Sequence, residues 1–223
     1  SLAAANLTAA NLTAANLTAA PPPPSNSSSN SSLCPSFDFE DAVVNQCPPG
    51  WTCTGSATTR NPNQMPSGCP ISGGAQGSKV LSLGCDQTQG QAISAPFTLP
   101  TNAATLRFKR SGGADAPSGF YIHRADNGQV IGQNTNGQNT DVMFEQSISV
   151  AAYGGSSVYL LAKDVVSSSW GKVAIDDIRF YSASNQMLAP LCTMPLPPCD
   201  AVRRHWLPTV YSIPGGTCAM EWS

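Results

Sequence analysis

The sequence predicts an all-β chain: an antiparallel jelly-roll sandwich with an extended N-terminal segment and a Pro-rich, disulfide-stapled C-terminal tail. Three observations lead there. Short runs of alternating apolar and polar residues recur between residues 37 and 180, as half-buried strands require. Gly, Asn and Ser separate these runs, and no amphipathic helix interrupts them. The composition changes on both sides: no aromatic or charged residue precedes residue 33, and prolines crowd the chain after residue 183. The expected division is a low-complexity extended segment over 1–33, the sandwich over 34–183 and a Pro/Cys-rich tail over 184–223.

The strands are read in order. Residues 37–40 (FDFE) alternate, and 79–83 (KVLSL) follow a Gly-rich turn. Alternation returns over 92–99, where Pro96 marks an edge or a bulge, because proline cannot donate to a ladder. Residues 105–109, 119–123 and 129–131 come next, the last two joined by Asp126-Asn127-Gly128, a strong two-residue hairpin signal. Strands over 142–148, 158–162 and 172–180 complete the set. Arg107, Lys109, His123, Lys172 and Arg179 fall on the expected solvent faces. In the tail, six prolines from Pro190 to Pro214 exclude a sheet-central strand, yet Trp206, Trp222 and three cysteines argue that it is stapled to the domain or packed on a neighbour.

Charged residues make up 11 % of the chain and the net charge is −2. No electrostatic case exists for nucleic acid or an anionic membrane. No run of about 18 apolar residues spans a bilayer. With no initiator Met and no signal-peptide pattern, the numbering is expected to start on a mature or ordered part of a chain. Cys34, Cys47, Cys53, Cys69, Cys85, Cys192, Cys199 and Cys218 make an even count without a CxxC pair, and His123 and His205 are the only histidines. Disulfides in an oxidising, extracellular compartment explain this better than zinc; spacing leaves the pairing open.

No catalytic arrangement is evident. Neither histidine sits beside a marked nucleophile, and there is no P-loop or dinucleotide fingerprint. Among carboxylates, Asp38, Glu40, Asp176 and Asp177 form the best cluster. Such a group needs a cation or an arginine, and a hard cation such as Ca²⁺ takes several oxygens; Arg179 is the competing partner. The chain is therefore expected not to be an enzyme. For a sugar-binding function, the candidate stacking aromatics are Tyr121, Tyr153 and Trp170.

Two stretches carry a resemblance. One is CPSFDFE over 34–40, followed by Cys47 and Trp51; the other is WGKVAIDDIRF over 170–180, followed by Cys192. Together they resemble MAM-type jelly rolls of extracellular adhesion proteins and the wider galactose-binding-like sandwiches found as carbohydrate-binding modules. The resemblance implies a structural Ca²⁺ held by Glu40 and Asp177, with Asp176 as a further ligand. It also implies a bridge from Cys34 to Cys47. Cys53, Cys69, Cys85 and the Pro-rich tail depart from the pattern.

The N-terminal segment is NLTAA written three times, then four prolines and a Ser/Asn tract. Its sequons are Asn6, Asn11, Asn16, Asn26 and Asn30, and no N-x-S/T follows Ser32. In polyproline II a five-residue step turns each Asn by about 240°, which spreads glycans around the axis. Pro21, Pro22, Pro23, Pro24 and Ser25 resemble the glycomodules of plant and algal wall glycoproteins, which implies hydroxyproline and O-glycans. The leading expectation is a structural subunit of an extracellular glycoprotein fibre or wall, self-associating as this glycan-coated segment contacts a neighbouring sandwich. The alternative is a monomeric carbohydrate-binding or adhesion module on a glycosylated stalk.

Overall fold

The computed structural model describes residues 34–192, apart from residues 116 and 169. They form two antiparallel sheets packed face to face. The strands are β1 (Trp51–Gly55), β2 (Thr58–Arg60), β3 (Val80–Ser82), β4 (Gly90–Ser94), β5 (Phe97–Thr98), β6 (Ala103–Gly112), β7 (Gly119–Arg124), β8 (Val130–Asn134), β9 (Thr140–Ser149), β10 (Ser157–Asp164), β11 (Val173–Ser182) and β12 (Met187–Leu188). The first sheet runs β1-β4-β10-β7-β8, with β5 also on β10; the second runs β2-β3-β11-β6-β9, with β12 also on β11. The all-β sandwich expected from the sequence is the architecture observed.

Inward side chains alternate as the pleat demands. Leu106 and Phe108 of β6, Phe120 and Ile122 of β7, Val158, Leu160 and Ala162 of β10, and Val173 and Ile175 of β11 share one core with Leu81, Phe97 and Ile148. In β11 the phase then changes. Asp176 pairs with Lys109 but Arg179 pairs with Arg107, so one extra residue is inserted. Asp177 takes φ 51° there, and Ile178 and Phe180 rejoin the core. This is a β-bulge, which bends the strand and releases ladder groups for other partners.

The alternating residues 37–40 are not a strand. The Phe37 carbonyl accepts the Ile178 amide freed by the bulge (2.9 Å). The Phe37 ring packs edge-on to Phe97 and Phe180. Phe39 sits at φ 62° and is fully buried. A left-handed phenylalanine costs on the order of 1 kcal/mol or more. Burying its side chain contributes about 2–3 kcal/mol, and the Ser36 hydroxyl accepts its amide. The Trp51 indole N–H donates to the Ser36 carbonyl at 2.7 Å. The segment therefore plugs one end of the sandwich instead of extending a sheet.

Two further differences have clear causes. Strands β1 and β2, consecutive in the chain but in different sheets, have no counterpart in the sequence reading because their residues, TCTGSATTR, carry almost no apolar alternation. Arg110, one residue past the expected strand end, has the parity of Leu106 and Phe108 and points inward, fully buried. Its guanidinium donates to the Asn134 and Gly113 carbonyls, and burial pulls its pKa down to about 10. His123 and Lys172, expected in solvent, are also buried.

The outer face of the second sheet has its own cover. Val80, Met143 and Ala174 form a small cluster with Ile71 and Ala75 of the 65–79 loop, and Cys69–Cys85 staples the loop base. The bridge from Cys34 to Cys47 is not formed. Cys34 pairs with Cys192, because Leu191 bridges Thr98 at the edge of the first sheet beside the plug. Cys47 instead closes a tight loop with Cys53.

Cys34–Cys192 spans 158 residues, and in the chain-entropy account a loop of that size stabilises by about 5 kcal/mol. The doubly substituted Cys34→Ser, Cys192→Ser chain should unfold about 10–20 °C lower in calorimetry, with an unchanged β-sheet circular dichroism spectrum at 20 °C.

Candidate functional site

An open polar surface lies beside the β1–β2 connection, where the chain passes from the first sheet to the second. Asn45, at φ 67°, lies where the chain pairs with Thr59: the Asn45 amide donates to the Thr59 carbonyl and the Thr59 amide to the Gln46 carbonyl, both at 2.8 Å. This adds a short rung beyond β2. Arg60 Nη1 donates to Asn45 Oδ1 at 2.5 Å, which fixes the amide plane and leaves the Asn45 side-chain nitrogen to donate outward. Asn45, Cys47, Gly55, Ser56, Thr58 and Arg60 line an open groove of about 490 Å³, within the size range of small-ligand sites. Cys47–Cys53 braces one wall. Arg60, bonded to the neutral Asn45 amide, is the one ionisable side chain in the lining; the remaining polar groups are hydroxyls and amides. Sequence reading missed it, because the residues become neighbours only through the 45–59 pairing.

The expected carboxylates are distributed differently. Glu40 grips one end of the 74–79 loop: its carboxylate accepts from the Ser78 amide (2.9 Å), the Ser78 hydroxyl (2.8 Å) and the Lys79 amide (2.9 Å). Burial raises its pKa, but these bonds and the Lys79 charge hold it below the ordinary value. The fit is close: a Cβ on Gly77 would lie 2.5 Å from Glu40 Oε1, at a φ of 75° that also favours glycine. Asp176 grips the same loop through the Gln76 amide and also accepts the Asp177 amide, both at 2.7 Å. Asp177 does not join them. Its carboxylate takes Arg179 Nε at 2.6 Å.

Among the described residues no three His, Cys, Asp or Glu side chains converge as a metal cluster. Two carboxylates and two carbonyls do surround the loop. The Gly74 carbonyl accepts from Lys109 Nζ (2.8 Å) and the Glu40 carbonyl from Lys79 Nζ (2.6 Å). The Glu40 carboxylate thus already accepts three donors and Asp176 two, while Asp177, paired with Arg179, stands apart from both.

The three candidate stacking aromatics are dispersed. Tyr121 lies on the outer face of the first sheet and donates to the Pro117 carbonyl. Tyr153 packs against the core in a turn that follows β9. Trp170, at φ 64°, lies beyond the opposite end of β6, under Lys172 Nζ at 4.9 Å. Asn6, Asn11, Asn16, Asn26, Asn30, Pro21 to Pro24, Ser25, Cys199, Cys218 and His205 lie outside the described residues.

No family model and no curated protein matches the chain. Solved structures are similar to it at low identity. The K2 cleaved adhesin domain of Lys-gingipain is 14 % identical over 66 % of this chain and 97 % of that one, with a TM-score of 0.43. A cyclase from Fischerella sp. TAU is 14 % identical over 66 % and 96 %, at 0.45. A carbohydrate-binding module of the β-sandwich superfamily is 17 % identical over 66 % of this chain and 62 % of its own, at 0.38. This likeness bears on the sandwich alone.

Burial lifts the Asp176 pKa to about 7, against the pull of its two amide donors. Burial likewise lifts Asp164 to about 6. Both folded values lie above the ordinary 3.8, so the folded state holds these protons more tightly than the unfolded chain. Their contribution to stability is fully present below about pH 4 and is lost as pH rises through 6 and 7. In chelator, urea unfolding should therefore give a higher midpoint at pH 5 than at pH 7.5, and Asp176→Asn should flatten that difference.

Proposed function

We propose that this chain is an extracellular carbohydrate-binding or adhesion module whose sandwich presents the Asn45–Arg60 groove to a neutral saccharide. The observation that carries the reading is that groove: polar, nearly uncharged, and held in shape by a disulfide and an amide–guanidinium bond. A sugar offers hydroxyls in fixed directions, and an amide donor, the hydroxyls of Ser56 and Thr58 and the Arg60 guanidinium can each pair with one. Adhesin and carbohydrate-binding modules stand among the similar structures, alongside a cyclase, which is in keeping with the reading but does not carry it. Three disulfides among the described residues suit an oxidising, extracellular setting. The fibre-subunit expectation rests on residues 1–33, outside the described residues, and finds no support in the sandwich; the module reading is the better supported.

The test is binding of a panel of neutral oligosaccharides to the full chain. At least one should bind at a 1:1 ratio, and Arg60→Ala or Asn45→Ala should weaken it about tenfold, the loss of one or two good hydrogen bonds. Saccharide binding unchanged in both variants would refute the groove.

The structural calcium is proposed on Glu40 and Asp176, where it would neutralise two carboxylates and fix the 74–79 loop. Millimolar Ca²⁺ should raise the unfolding temperature by several degrees over chelator, since a ligand of the folded state stabilises it in proportion to its saturation. Glu40→Gln should remove most of the shift.

A further inference from the structure

Arg110 is not the only ionisable group turned into the sandwich. On β10, Val158, Leu160 and Ala162 face the core, and strand parity turns Asp164 the same way. It is 1 % exposed. Arg110 points inward from the opposite sheet, and its charge reaches the Asp164 carboxylate. Described residues close this end of the molecule, with connections packed backbone to backbone. A Cβ on Gly113 would lie 2.0 Å from the Trp170 carbonyl oxygen, and one on Gly137 would lie 1.7 Å from that of Gly113. The burial of Asp164 is thus a property of the sandwich itself.

A chain of hydrogen bonds leads from this acid to the Asn45–Arg60 groove. Asp164 Oδ1 accepts the Val166 amide at 3.1 Å and the Ser118 hydroxyl at 3.2 Å. The Ser118 oxygen accepts the Val165 amide at 3.0 Å. Together these bonds fix the turn that leaves β10. The Val165 carbonyl accepts Gln89 Nε2 at 2.6 Å, and the Gln89 carbonyl accepts the Ser56 amide at 2.9 Å. Ser56 lines the groove. The strand ladder follows the same route, since Asp164 pairs with Gly90 and Gly90 with Gly55. There is no slack at the far contact. A Cβ on Gly55 would lie 2.4 Å from the Gln89 carbonyl oxygen, and one on Gly90 would lie 2.6 Å from the Ala57 amide nitrogen. Packing this close passes a small displacement on to its neighbour.

We propose that Asp164 is a positioning residue for the groove: its ionised carboxylate holds the 164–166 turn and, through Gln89, the 55–58 wall. The proposal rests on the groove as the binding surface. Charge-assisted hydrogen bonds are roughly twice as strong as neutral ones, so protonating Asp164 slackens both bonds to Oδ1. The charged groups that act on it are Arg110, which favours the ionised form, and Asp86 of the 83–90 connection, which opposes it. Asp164 Oδ2 is buried with no partner among the described residues, so the bonds to Oδ1 are the ones that orient the carboxylate. Because burial lifts the pKa to about 6, the change falls in mildly acid solution. The wall is held firmly above that pH and loosened below it.

Amide NMR of the full chain tests this without a saccharide. Between pH 5 and 7.5 the Ser56 amide resonance should titrate with the same midpoint as the Asp164 carboxyl carbon. Asp164→Asn keeps an acceptor oxygen but carries no charge. It should abolish that titration and, at pH 7.5, make the Ser56 amide exchange with solvent about threefold faster than in the unmodified chain. Gln89→Ala, at an exposed position, removes only the bond to Val165 and should likewise flatten the Ser56 titration. A Ser56 resonance that does not titrate, or that titrates unchanged in either variant, overturns the proposal. Should Asp164→Asn misfold, the comparison with Gln89→Ala decides alone. The expected Ser56 titration in a chain that binds no saccharide would support the Asp164 linkage and overturn the groove as a sugar site.

Discussion

The bulge in β11 organises the sandwich. One extra residue between the partners of Lys109 and Arg107 does four things at once. It shifts the core phase so that Ile178 and Phe180 face inward after Val173 and Ile175. It releases the Ile178 amide to the Phe37 carbonyl, which seats the plug. It leaves Asp176 on the outer face, where it holds the 74–79 loop through the Gln76 amide. It turns Asp177 to Arg179. Bulges re-aim side chains and end pairing; this one couples the plug, the core and the loop, so none can be repositioned alone.

The strand pattern was legible where each strand has one apolar face, as in Leu106 and Phe108 or Phe120 and Ile122. It misled at Phe37 and Phe39. Both rings are indeed buried, but alternation records burial, and a plug can bury two rings without a ladder. Strands β1 and β2 are largely polar and leave no periodic trace. Arg110 could have been found by extending the parity of its strand two residues past Phe108, since it keeps the inward phase. The carboxylates of the IDDI stretch were visible as a cluster, but the bulge that separates Asp176 from Asp177 depends on pairing with β6. Disulfide pairing follows from which loops the sheets bring together, and spacing does not encode it. The groove depends on a two-residue rung between Asn45 and Thr59, a contact without a motif.

Charge economy explains much of the chemistry. With few ionisable groups, the chain spends them internally: Glu40 and Asp176 on amides, Lys79 and Lys109 on carbonyls, Arg110 inside the core. Buried charged groups are tolerated when each finds several hydrogen-bond partners.

Cys34–Cys192 has a consequence for force. Residues 1–33 and 193–223 leave the described domain immediately outside this bridge. Tension applied through the two flanking segments therefore crosses from one to the other through a single covalent link and never loads the strands between them. The sandwich hangs beside the line of pull, and its groove and plug keep their shape while the chain on either side is stretched.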